Sequence, residues 1–334
     1  MSRTILVTGG AGYIGAHACK ALSKAGYEPV AYDNLVYGHR EAVRWGPLIE
    51  GDLADRTLLA ETIARHKISA VIHFAAYAYV GESIEKPEKY FHNNVVNSLG
   101  LMETLLAAGV KQIVFSSTCA TYGLPEKMPI REDTPQQPVN PYGESKLMIE
   151  RALYWNGLAH GLRHVALRYF NAAGADPDGE IGEDHVPETH LIPLILDAAL
   201  GRRAQIDVFG TDYPTPDGTA IRDYIHVQDL AEAHVRALRY LEGGGESVAL
   251  NLGTGEGHSV RATIETARRV TGRLIPARDT ARRPGDPPVL VADASRARQL
   301  LGWTPSLAAL EHIIGTAWAW HQRRFAAAPH GARP

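Results

Sequence analysis

Cysteine, basic clusters and long apolar runs are all scarce in this chain of 334 residues. Its two cysteines, Cys19 and Cys119, cannot form a disulfide framework, which is typical of proteins in a reducing cytoplasm. The 34 basic side chains nearly balance 37 acidic ones and form no basic arm, so nucleic acid is not expected as a partner. No apolar run approaches the roughly 18 residues that cross a bilayer, and the N-terminal sequence lacks a signal-peptide core. We therefore expect a cytoplasmic globular protein without membrane contact.

Metal-binding patterns are also lacking. The 15 histidines are scattered, and they do not follow the His-Glu-x-x-His spacing of zinc enzymes. The sequence therefore predicts a protein without a metal. What remains is an ordinary globular composition, 45% hydrophobic with a net charge of −3, in a chain long enough for one large or two unequal domains.

Short apolar runs alternate with amphipathic stretches through the first half of the chain. Strands are predicted at residues 4–8, 29–32, 70–74, 112–116 and 164–169, and helices near residues 13–25, 56–66, 88–108 and 142–160. This alternation predicts an α/β fold, a Rossmann-type doubly wound parallel sheet that binds ligands at the carboxyl edge of its strands.

The second half contains several Gly/Pro/Asp-rich stretches that are typical of binding loops. We expect residues 171–225 and 253–325 to form a smaller mixed α/β C-terminal substrate domain. Residues 1–170 are expected to form the large dinucleotide-binding domain, to which residues 226–252 return.

A glycine-rich turn follows the first predicted strand. Gly9, Gly12 and Gly15 have the spacing that lets a dinucleotide pyrophosphate approach the main chain at the start of a helix. Tyr13 and Ile14 lie in the first turn of that helix, where main-chain N–H groups and the helix dipole attract phosphates. These five residues are therefore candidate cofactor ligands.

Acidic residues end the next two strands. Asp33 is placed to accept hydrogen bonds from a ribose diol and to repel a 2′-phosphate, which favours NAD over NADP. His39 and Arg40 follow closely and keep NADP open. Asp52 ends a further strand, where it either holds the adenine amino group or only caps the next helix. We also assign Asn34 and Leu53, which directly follow these two aspartates in the sequence, to the cofactor pocket.

A tyrosine and a lysine one helical turn apart carry the candidate chemistry. Tyr142 and Lys146 lie on one face of a predicted helix, since residues i and i+4 are neighbours there. A free tyrosine has a pKa of about 10 and is a poor base at neutral pH, but a nearby lysine and a cationic nicotinamide ring would lower that value. Tyr142 is therefore a candidate proton acceptor for an alcohol whose hydride passes to NAD. The alternative is a surface helix on which the pair is incidental.

Four further motifs separate this chain from a general nucleotide-binding fold. They are S-S-T at 116–118, R-Y-F-N at 168–171, D-G-T at 217–219 and R-D-Y-I-H-V at 222–227. Together with the glycine turn and the Tyr/Lys pair, they resemble the nucleotide-sugar 4-epimerases of the extended short-chain dehydrogenase/reductase family, over about residues 4–320.

The resemblance implies an enzyme that interconverts UDP-glucose and UDP-galactose with tightly bound NAD. Such enzymes oxidise the sugar transiently at C4, let the 4-keto sugar rotate, and return the hydride to its opposite face. By the same resemblance Tyr142 would be the general base and Lys146 its electrostatic partner, while Thr118 would hydrogen-bond to the sugar 4-hydroxyl.

The resemblance also assigns two sets of binding residues. The cofactor set, with Tyr142 and Lys146, gains residues at the ends of the middle strands and on a following helix: Phe74, Ala75, Ala76, Asn93, Ser116 and Tyr169. The substrate set, with Thr118 and Tyr142, comprises Asn171, His190, Leu191, Val208, Phe209, Arg222, Arg283, Asp286 and Leu290. An arginine fork suits a pyrophosphate. For Arg222 the alternative is an intradomain salt bridge, and for Phe209 a place in the core.

Two positions depart from the family pattern. Ala78 stands where many members carry a lysine that contacts the cofactor. Leu290, at the position that limits the sugar pocket, is smaller than the tyrosine of strict hexose epimerases and larger than the serine or cysteine of enzymes that admit N-acetyl sugars. The run at 116–123 is also similar to that of plant-type UDP-arabinose 4-epimerases. UDP-xylose/UDP-arabinose and UDP-N-acetylhexosamine 4-epimerisation therefore stay open as alternatives.

Other classes fit the motifs less well. A sugar 4,6-dehydratase needs a carboxylate pair directly after Thr118, where this chain has Cys119 and Ala120. A non-enzymatic NAD-sensing module would lack the catalytic tyrosine, which is kept here. A simple dehydrogenase would exchange its cofactor at each turnover, so retention of NAD through purification distinguishes it.

Apolar stripes mark two predicted helices, at residues 88–108 and 142–160. In the family such helices pair across a two-fold axis into a four-helix bundle, which implies a homodimer. The stripes comprise Val95, Leu99, Leu106, Leu147, Ile149, Leu153 and Trp155. The alternative is that they face the sheet.

Overall fold

The computed structural model describes residues 3–283 and 285–325. Its strands are β1 (Thr4–Thr8), β2 (Glu28–Asp33), β3 (Leu48–Glu50), β4 (Ala70–His73), β5 (Gln112–Thr118), β6 (Arg163–Tyr169), β7 (Asn171–Ala173), β8 (Ile206–Phe209), β9 (Ile221–Arg222), β10 (Tyr224–His226), β11 (Val248–Leu252), β12 (His258–Ser259), β13 (Ala277–Thr280) and β14 (Val289–Leu290). Its helices are α1 (Tyr13–Lys24), α2 (Arg56–Arg65), α3 (Val80–Glu85), α4 (Pro87–Tyr90), α5 (Asn97–Ala107), α6 (Pro141–His160), α7 (Leu191–Ala199), α8 (Val227–Glu242), α9 (Val260–Thr271), α10 (Ser295–Leu301) and α11 (Leu310–Phe325). None of the helices described combines the length and apolar character that a membrane-spanning helix requires.

Within the described residues, seven parallel strands form a central sheet in the order β3-β2-β1-β4-β5-β6-β11. The strand order reverses between β1 and β4, where a doubly wound sheet opens a crevice at its carboxyl edge. The Rossmann-type parallel sheet predicted from the sequence is thereby confirmed. β1 spans the predicted residues, and β5 runs on beyond its predicted end to Thr118.

Side chains alternate between the two faces of this sheet, and each face has its own core. Ile5 and Val7 of β1 pack on one face with Leu230 of α8. Leu6 belongs to the core on the other face, with Leu105 of α5. A strand that is covered by helices on both sides is apolar throughout, which is why β1 reads as a continuous apolar run in the sequence.

The helix predicted at residues 88–108 is interrupted. A π-helical stretch at Phe91–Val96 separates α4 from α5. In this stretch Asn94 binds the main chain of Tyr77, accepting from its N–H (2.9 Å) and donating to its carbonyl (3.0 Å). A wider helical turn changes which side chains face inwards, and a pattern with a period of about 3.6 residues does not reveal it.

Smaller sheets and helices build the rest of the described chain. β7 pairs with β10, β8 with β13, and β9 lies between β12 and β14. α7, α9 and α11 pack around a third core that includes Ile195, Ile264 and Ile313. By contrast, α8 covers the central sheet and β11 pairs with β6. The boundaries of two separate domains stay a prediction.

Candidate active site

The turn between β1 and α1 is tight at positions that only glycine fits. Gly9 has a φ of 72°, and a Cβ there would lie 2.8 Å from the main-chain nitrogen of Ala75. A Cβ on Gly15 would lie 2.1 Å from the carbonyl oxygen of Gly9, so α1 approaches the turn only because no side chain intervenes. Gly12 is the N-cap of α1, and it offers the helix no side-chain hydrogen bond. The main-chain N–H groups of the first helical turn therefore suit a pyrophosphate.

Tyr13 connects this turn to the second half of the chain. Its hydroxyl donates to the carbonyl of Gly174 (2.7 Å), and its ring meets that of His185 edge-on at 6.2 Å. Burial raises the pKa of Tyr13, which keeps the phenol protonated as a donor. Ile14 packs against the core beneath α1, so its main chain rather than its side chain is available at the turn.

Asp33 at the end of β2 is buried and keeps acceptor capacity. Its Oδ2 accepts from the N–H of Ala11 (2.9 Å) and its Oδ1 from the N–H of Leu35 (2.8 Å). A carboxylate offers about four acceptor sites, so two remain for a ribose diol. Burial raises the pKa of Asp33, and the two main-chain bonds oppose that shift.

The cations that kept NADP open both have protein partners. Arg40 forms an ion pair with Glu50 of β3. Nε2 of His39 lies 2.7 Å from the carbonyl oxygen of Asp184. A 2′-phosphate beside Asp33 would therefore face the Asp33 carboxylate, while Arg40 and His39 are each engaged by another protein group. This arrangement favours NAD over NADP.

Asp52 does not cap α2. Its Oδ2 accepts from Nδ2 of Asn34 (2.7 Å), and its Oδ1 accepts from the N–H of Ala54 (2.8 Å). The N-cap of α2 is Asp55, which accepts from the N–H of Leu58 (2.9 Å). The capping alternative for Asp52 is therefore wrong. The neighbouring Leu53 is buried in the core on the α2 face.

α6 begins directly beside the end of β5. Oδ1 of Asn140 caps the helix by accepting from the N–H of Gly143 (2.8 Å). A Cβ on Gly143 would lie 2.5 Å from the carbonyl oxygen of Ala120, so the first turn of α6 lies against the short turn that follows β5. Tyr142 is therefore close enough to Thr118 for this hydroxyl to lower the pKa of the phenol.

Lys146 lies one turn further along α6 and is only 2% exposed. Its Nζ donates to the carbonyl of Ser116 (2.8 Å) and lies 5.9 Å from the centre of the Tyr142 ring. The Ser116 hydroxyl in turn hydrogen-bonds to the hydroxyl of Tyr169, at the end of β6. The structure thus brings the three predicted catalytic residues together with Ser116 and Tyr169 of the cofactor set.

Burial decides the ionisation of the Tyr/Lys pair. It lowers the pKa of Lys146 to about 7, although Glu150 opposes the shift. It raises the pKa of Tyr142 to about 12, although the Thr118 hydroxyl opposes that shift. The described side chains therefore favour a neutral phenol. The lower tyrosine pKa expected from the sequence requires positive charge beyond what these side chains supply.

The segment after β4 lies against the glycine turn. The N–H groups of Phe74 (2.9 Å) and Ala75 (3.1 Å) both donate to the carbonyl of Thr8, at the end of β1. Ala76 follows directly and is partly buried. These three cofactor-set residues therefore lie at the crevice between β1 and β4.

α4 and the π-helical stretch support the same segment through Asn93 of the cofactor set and through two residues that the sequence analysis did not assign, Asn94 and Lys89. Nδ2 of Asn93 donates to Oδ1 of Asn94 (3.0 Å), which itself holds the main chain of Tyr77. Nζ of Lys89 lies 4.2 Å from the centre of the Tyr77 ring, next to Ala78. A cation is therefore present near the position where the family lysine is absent. The only sequence feature that could have drawn attention to Asn94 is its position next to Asn93, which was assigned to the cofactor set.

Arg222 and Asp286 of the substrate set form an ion pair with each other. The salt-bridge alternative for Arg222 is therefore observed, with another predicted substrate ligand as the partner. Leu290 of β14 lies opposite Arg222 in the register of β9. Nδ2 of Asn171 donates to the carbonyl of Asp223 (3.2 Å), beside the same strand.

Arg283 lies over Phe209, with its guanidinium carbon 4.0 Å from the ring centre. Phe209 is only partly buried, so it is not a plain core residue. Val208, its neighbour on β8, is fully buried in the third core. Only the main chain of Val208 is therefore available to a ligand.

A small buried cluster joins this region to the catalytic residues. Tyr122 and Phe170 belong to it, and both Leu290 and Cys119 pack against it. Because Cys119 directly follows Thr118, the sugar-pocket position Leu290 lies on the same side of the molecule as the catalytic turn.

His190 and Leu191 are at the start of α7, as predicted, but the imidazole is engaged by acidic neighbours. Nδ1 of His190 lies 2.6 Å from Oε1 of Glu183, and Nδ1 of His185 lies 3.2 Å from the same oxygen. Burial alone would lower both histidine pKa values, but Glu183 and Glu188 raise them to about 9 for His185 and about 10 for His190. Leu191 packs against the third core. The sequence analysis read these histidines separately and missed the cluster.

The fold and this geometry agree with known proteins. Residues 5–253 match the NAD dependent epimerase/dehydratase family, and the chain belongs to that family. The family membership inferred from the motifs is thereby confirmed.

Within that family the chain is most informatively compared with enzymes named for one reaction. It is 56% identical over 323 residues to the UDP-glucose 4-epimerase of Rhizobium meliloti, covering 97% of this chain and 98% of the relative. The crystal structure of UDP-glucose 4-epimerase from Brucella ovis in complex with NAD has a TM-score of 0.93 and 52% identity, covering 95% of this chain and 98% of that one. The structure from Stenotrophomonas maltophila, with bound NAD and formylated UDP-arabinopyranose, has a TM-score of 0.94 and 40% identity, covering 98% of this chain and all of that one.

Proposed function

We propose that this chain catalyses the reversible 4-epimerisation of UDP-glucose and UDP-galactose with bound NAD. The observation that carries the proposal is the grouping of Thr118, Tyr142 and Lys146 at the end of β5, in the same sheet whose first strand leads into the glycine turn. The relative at 56% identity is named for this reaction, which supports the hexose substrates over the pentose and N-acetyl alternatives.

NAD, when bound, supplies reversible hydride transfer at the sugar C4. The glycine turn would hold its pyrophosphate, because the close contacts of Gly9 and Gly15 keep side chains out of that space. Asp33 would accept from the adenosine ribose with the acceptor sites that Ala11 and Leu35 leave over. The remaining residues of the proposed cofactor set are Asn34, Asp52, Leu53, Phe74, Ala75, Ala76, Asn93, Ser116 and Tyr169.

Tyr142 accepts the proton of the sugar 4-hydroxyl, and Thr118, which lies near the phenol, orients that hydroxyl. Lys146 contributes its charge in the protonated form, and its bond to the Ser116 carbonyl holds it in place. Because burial by itself raises the Tyr142 pKa, the phenol becomes a base only where positive charge outweighs burial.

Charged side chains hold the UDP moiety, whereas only a few side chains contact the sugar. Arg222 and Arg283 provide guanidinium forks for the diphosphate, and Asp286 can accept from the uridine ribose. Binding would replace one partner in the Arg222–Asp286 pair by a phosphate. Around the sugar we assign only Thr118, Tyr142 and Leu290 among these residues, which leaves a 4-keto sugar room to turn over.

The reaction is tested by assaying the purified protein with UDP-galactose, UDP-arabinose and UDP-N-acetylgalactosamine in parallel. We expect the highest kcat/KM with UDP-galactose. Tyr142→Phe should lower kcat by roughly 10²–10⁴-fold, the usual contribution of a positioned acid–base group, with little change in UDP affinity. Tyr240→Phe, on α8 outside the assigned site, is the control and should leave kcat unchanged.

Equal or higher turnover with UDP-arabinose would contradict the choice of substrate. Full activity of Tyr142→Phe would contradict the assignment of the base. Loss of UDP binding together with activity would show instead that Tyr142 acts through the structure of the pocket.

A homodimer through α5 and α6 is a further part of the proposal. Val95, Leu147, Ile149 and Leu153 are buried, so part of each apolar stripe faces the sheet, as the alternative reading held. Leu99, Trp155 and Leu158 remain exposed, Trp155 by 65%. Apolar side chains exposed on two neighbouring helices support burial against a second copy.

A cytoplasmic location is proposed from cysteine usage. Cys19 and Cys119 are both free thiols, and burial raises the pKa of each to about 12. Unreactive, unpaired thiols are typical of proteins that need no oxidising compartment.

A further inference from the structure

Four metal-ligating side chains meet in the loop that leads into α7, and one of them, His190, also belongs to the predicted substrate set. Glu183, His185, Glu188 and His190 each offer one ligand atom, and these atoms lie within 4.8 Å of one another. The sequence analysis predicted no metal, because the spacing Glu-x-His-x-x-Glu-x-His is not a common zinc pattern.

The separations between these atoms are close to those of a tetrahedral metal site. With ligand bonds of 2.0–2.2 Å, neighbouring ligand atoms lie roughly 3.4 Å apart. Nδ1 of His185 is 3.2 Å from Glu183 and 3.7 Å from Glu188. Nδ1 of His190 is 3.5 Å from Glu188 and 2.6 Å from Glu183. The two Glu188 distances are to different oxygens of its carboxylate, so this side chain would present one of them to an ion. The shortest contact, between His190 and Glu183, would have to lengthen.

Three of the four side chains are largely withdrawn from solvent, while that of His190 is 49% exposed, and one nitrogen of the cluster lacks a hydrogen bond. The Glu183 side chain is 5% exposed and that of His185 is 18% exposed. Nδ1 of His185 is buried, and among the described residues no group makes a hydrogen bond of acceptable geometry to it. A metal ion would bind that nitrogen in place of its proton, because metal binding to histidine releases a proton.

A cavity gives access to the cluster. It has a volume of about 230 Å³ and is lined by Glu183, His185 and Glu188 among others. Arg202, at the same cavity, is paired with Asp197 (3.2 Å). The two glutamates are therefore paired with the two histidines and not with Arg202, so a divalent cation would take the place of the two imidazole protons between them.

We propose that Glu183, His185, Glu188 and His190 form a binding site for a divalent transition-metal ion of the Zn²⁺ type. Two imidazole nitrogens and two carboxylate oxygens are ligands that Zn²⁺ accepts in tetrahedral geometry. The ion bridges two parts of the molecule, because His185 meets the ring of Tyr13 at the glycine turn and the carbonyl of Glu183 accepts from Trp320 of α11 (3.1 Å). It is a positioning and stabilising site, and it takes no part in the chemistry at C4.

The site is tested on full-length protein stripped of metal by a chelator. Titration with Zn²⁺ in a calorimeter should show one tight site per chain, and Co²⁺ should give the intense visible absorption of tetrahedral coordination. His185→Asn and Glu188→Gln should each weaken Zn²⁺ binding by about 100-fold or more, beyond the 10–100-fold typical of groups outside the ligand shell. Addition of Zn²⁺ should raise the thermal midpoint of the wild type and not of these variants.

The control is His160→Asn, which removes an exposed histidine at the end of α6. It should bind Zn²⁺ like the wild type. Absence of a tight site in the wild type would overturn the proposal, as would equal affinity in His160→Asn and His185→Asn. Circular dichroism of each variant shows that it is folded, and because the readout is metal binding, the outcome is separate from that of the epimerisation assay.

Discussion

Burial disfavours the charged forms of Lys146 and Tyr142, which are the forms that the reaction requires. Each loses stabilisation of its charged form, so the lysine pKa falls to about 7 and the tyrosine pKa rises to about 12. Proton transfer from a sugar hydroxyl needs the opposite, an ammonium beside a phenolate. Tyr142 is therefore inactive as a base in the protein alone, and it would gain reactivity when further positive charge, such as that of an oxidised nicotinamide ring, stabilises the phenolate.

A pH dependence of stability follows from Lys146. Its pKa of about 7 lies below its ordinary value of 10.5, so between these values the unfolded chain holds a proton that the folded chain lacks. The contribution of this group to the free energy of unfolding therefore rises as pH rises from 7 towards 10.5. In urea unfolding of nucleotide-free protein, the free energy of unfolding of the wild type minus that of Lys146→Met should increase as pH rises over this range. With the exposed Lys24→Met the difference should stay constant, and a constant difference for Lys146→Met would refute the shift.

The glycine turn shows what an element contributes beyond its residues. α1 can start where it does because Gly15 lies against the carbonyl of Gly9, and β4 can end where it does because Gly9 lies against Ala75. The strand, the turn and the helix are therefore one packed unit. Its pyrophosphate site depends on close main-chain contacts.

Gly15→Ala tests this unit. The new methyl group would meet the Gly9 carbonyl oxygen at 2.1 Å, so the turn must move. We expect a loss of about 1–3 kcal/mol in the free energy of unfolding, as for other overpacked sites, and a large loss of NAD retention. The matched control is Gly315→Ala on α11, where a Cβ meets no atom within 4 Å. It should be neutral or stabilise by up to about 1 kcal/mol, with NAD retained. Equal effects of the two substitutions would argue against a packed turn.

At the scale of the whole molecule, α5 and α6 present apolar side chains on the side away from the sheet. Trp155 and Leu158 are three positions apart on α6, so they lie on one helix face. Leu99 of α5 is also exposed. A second copy of the chain would remove this surface from water.

Trp155→Glu tests the dimer. A charge in the centre of an apolar interface should convert the protein from twice the mass of one chain to a single chain in light scattering after size exclusion. Leu274→Glu is the matched control, because Leu274 is 84% exposed and lies after α9, away from both helices. It should remain a dimer. A wild type with the mass of one chain would refute the interface.

Local patterns accounted for the Rossmann sheet and the centre of the site. Buried parallel strands are continuous apolar runs, the turn at Gly9 and Gly15 is a contiguous motif, and Tyr142 and Lys146 are one helical turn apart. The helix at residues 88–108 was incompletely predicted because a π-helical stretch has no simple period.

The chain order of motifs therefore specified the fold class, the family and the chemical groups of the site, because each depends on residues close together in sequence. The partners of those groups arose only in the folded molecule. Arg222 meets Asp286, 64 positions away, because distant segments of the chain converge. Glu183, His185, Glu188 and His190 are close together in sequence, but only the folded path of their loop brings the four side chains together. The pKa values of Tyr142 and Lys146 depend on burial, which no stretch of sequence contains.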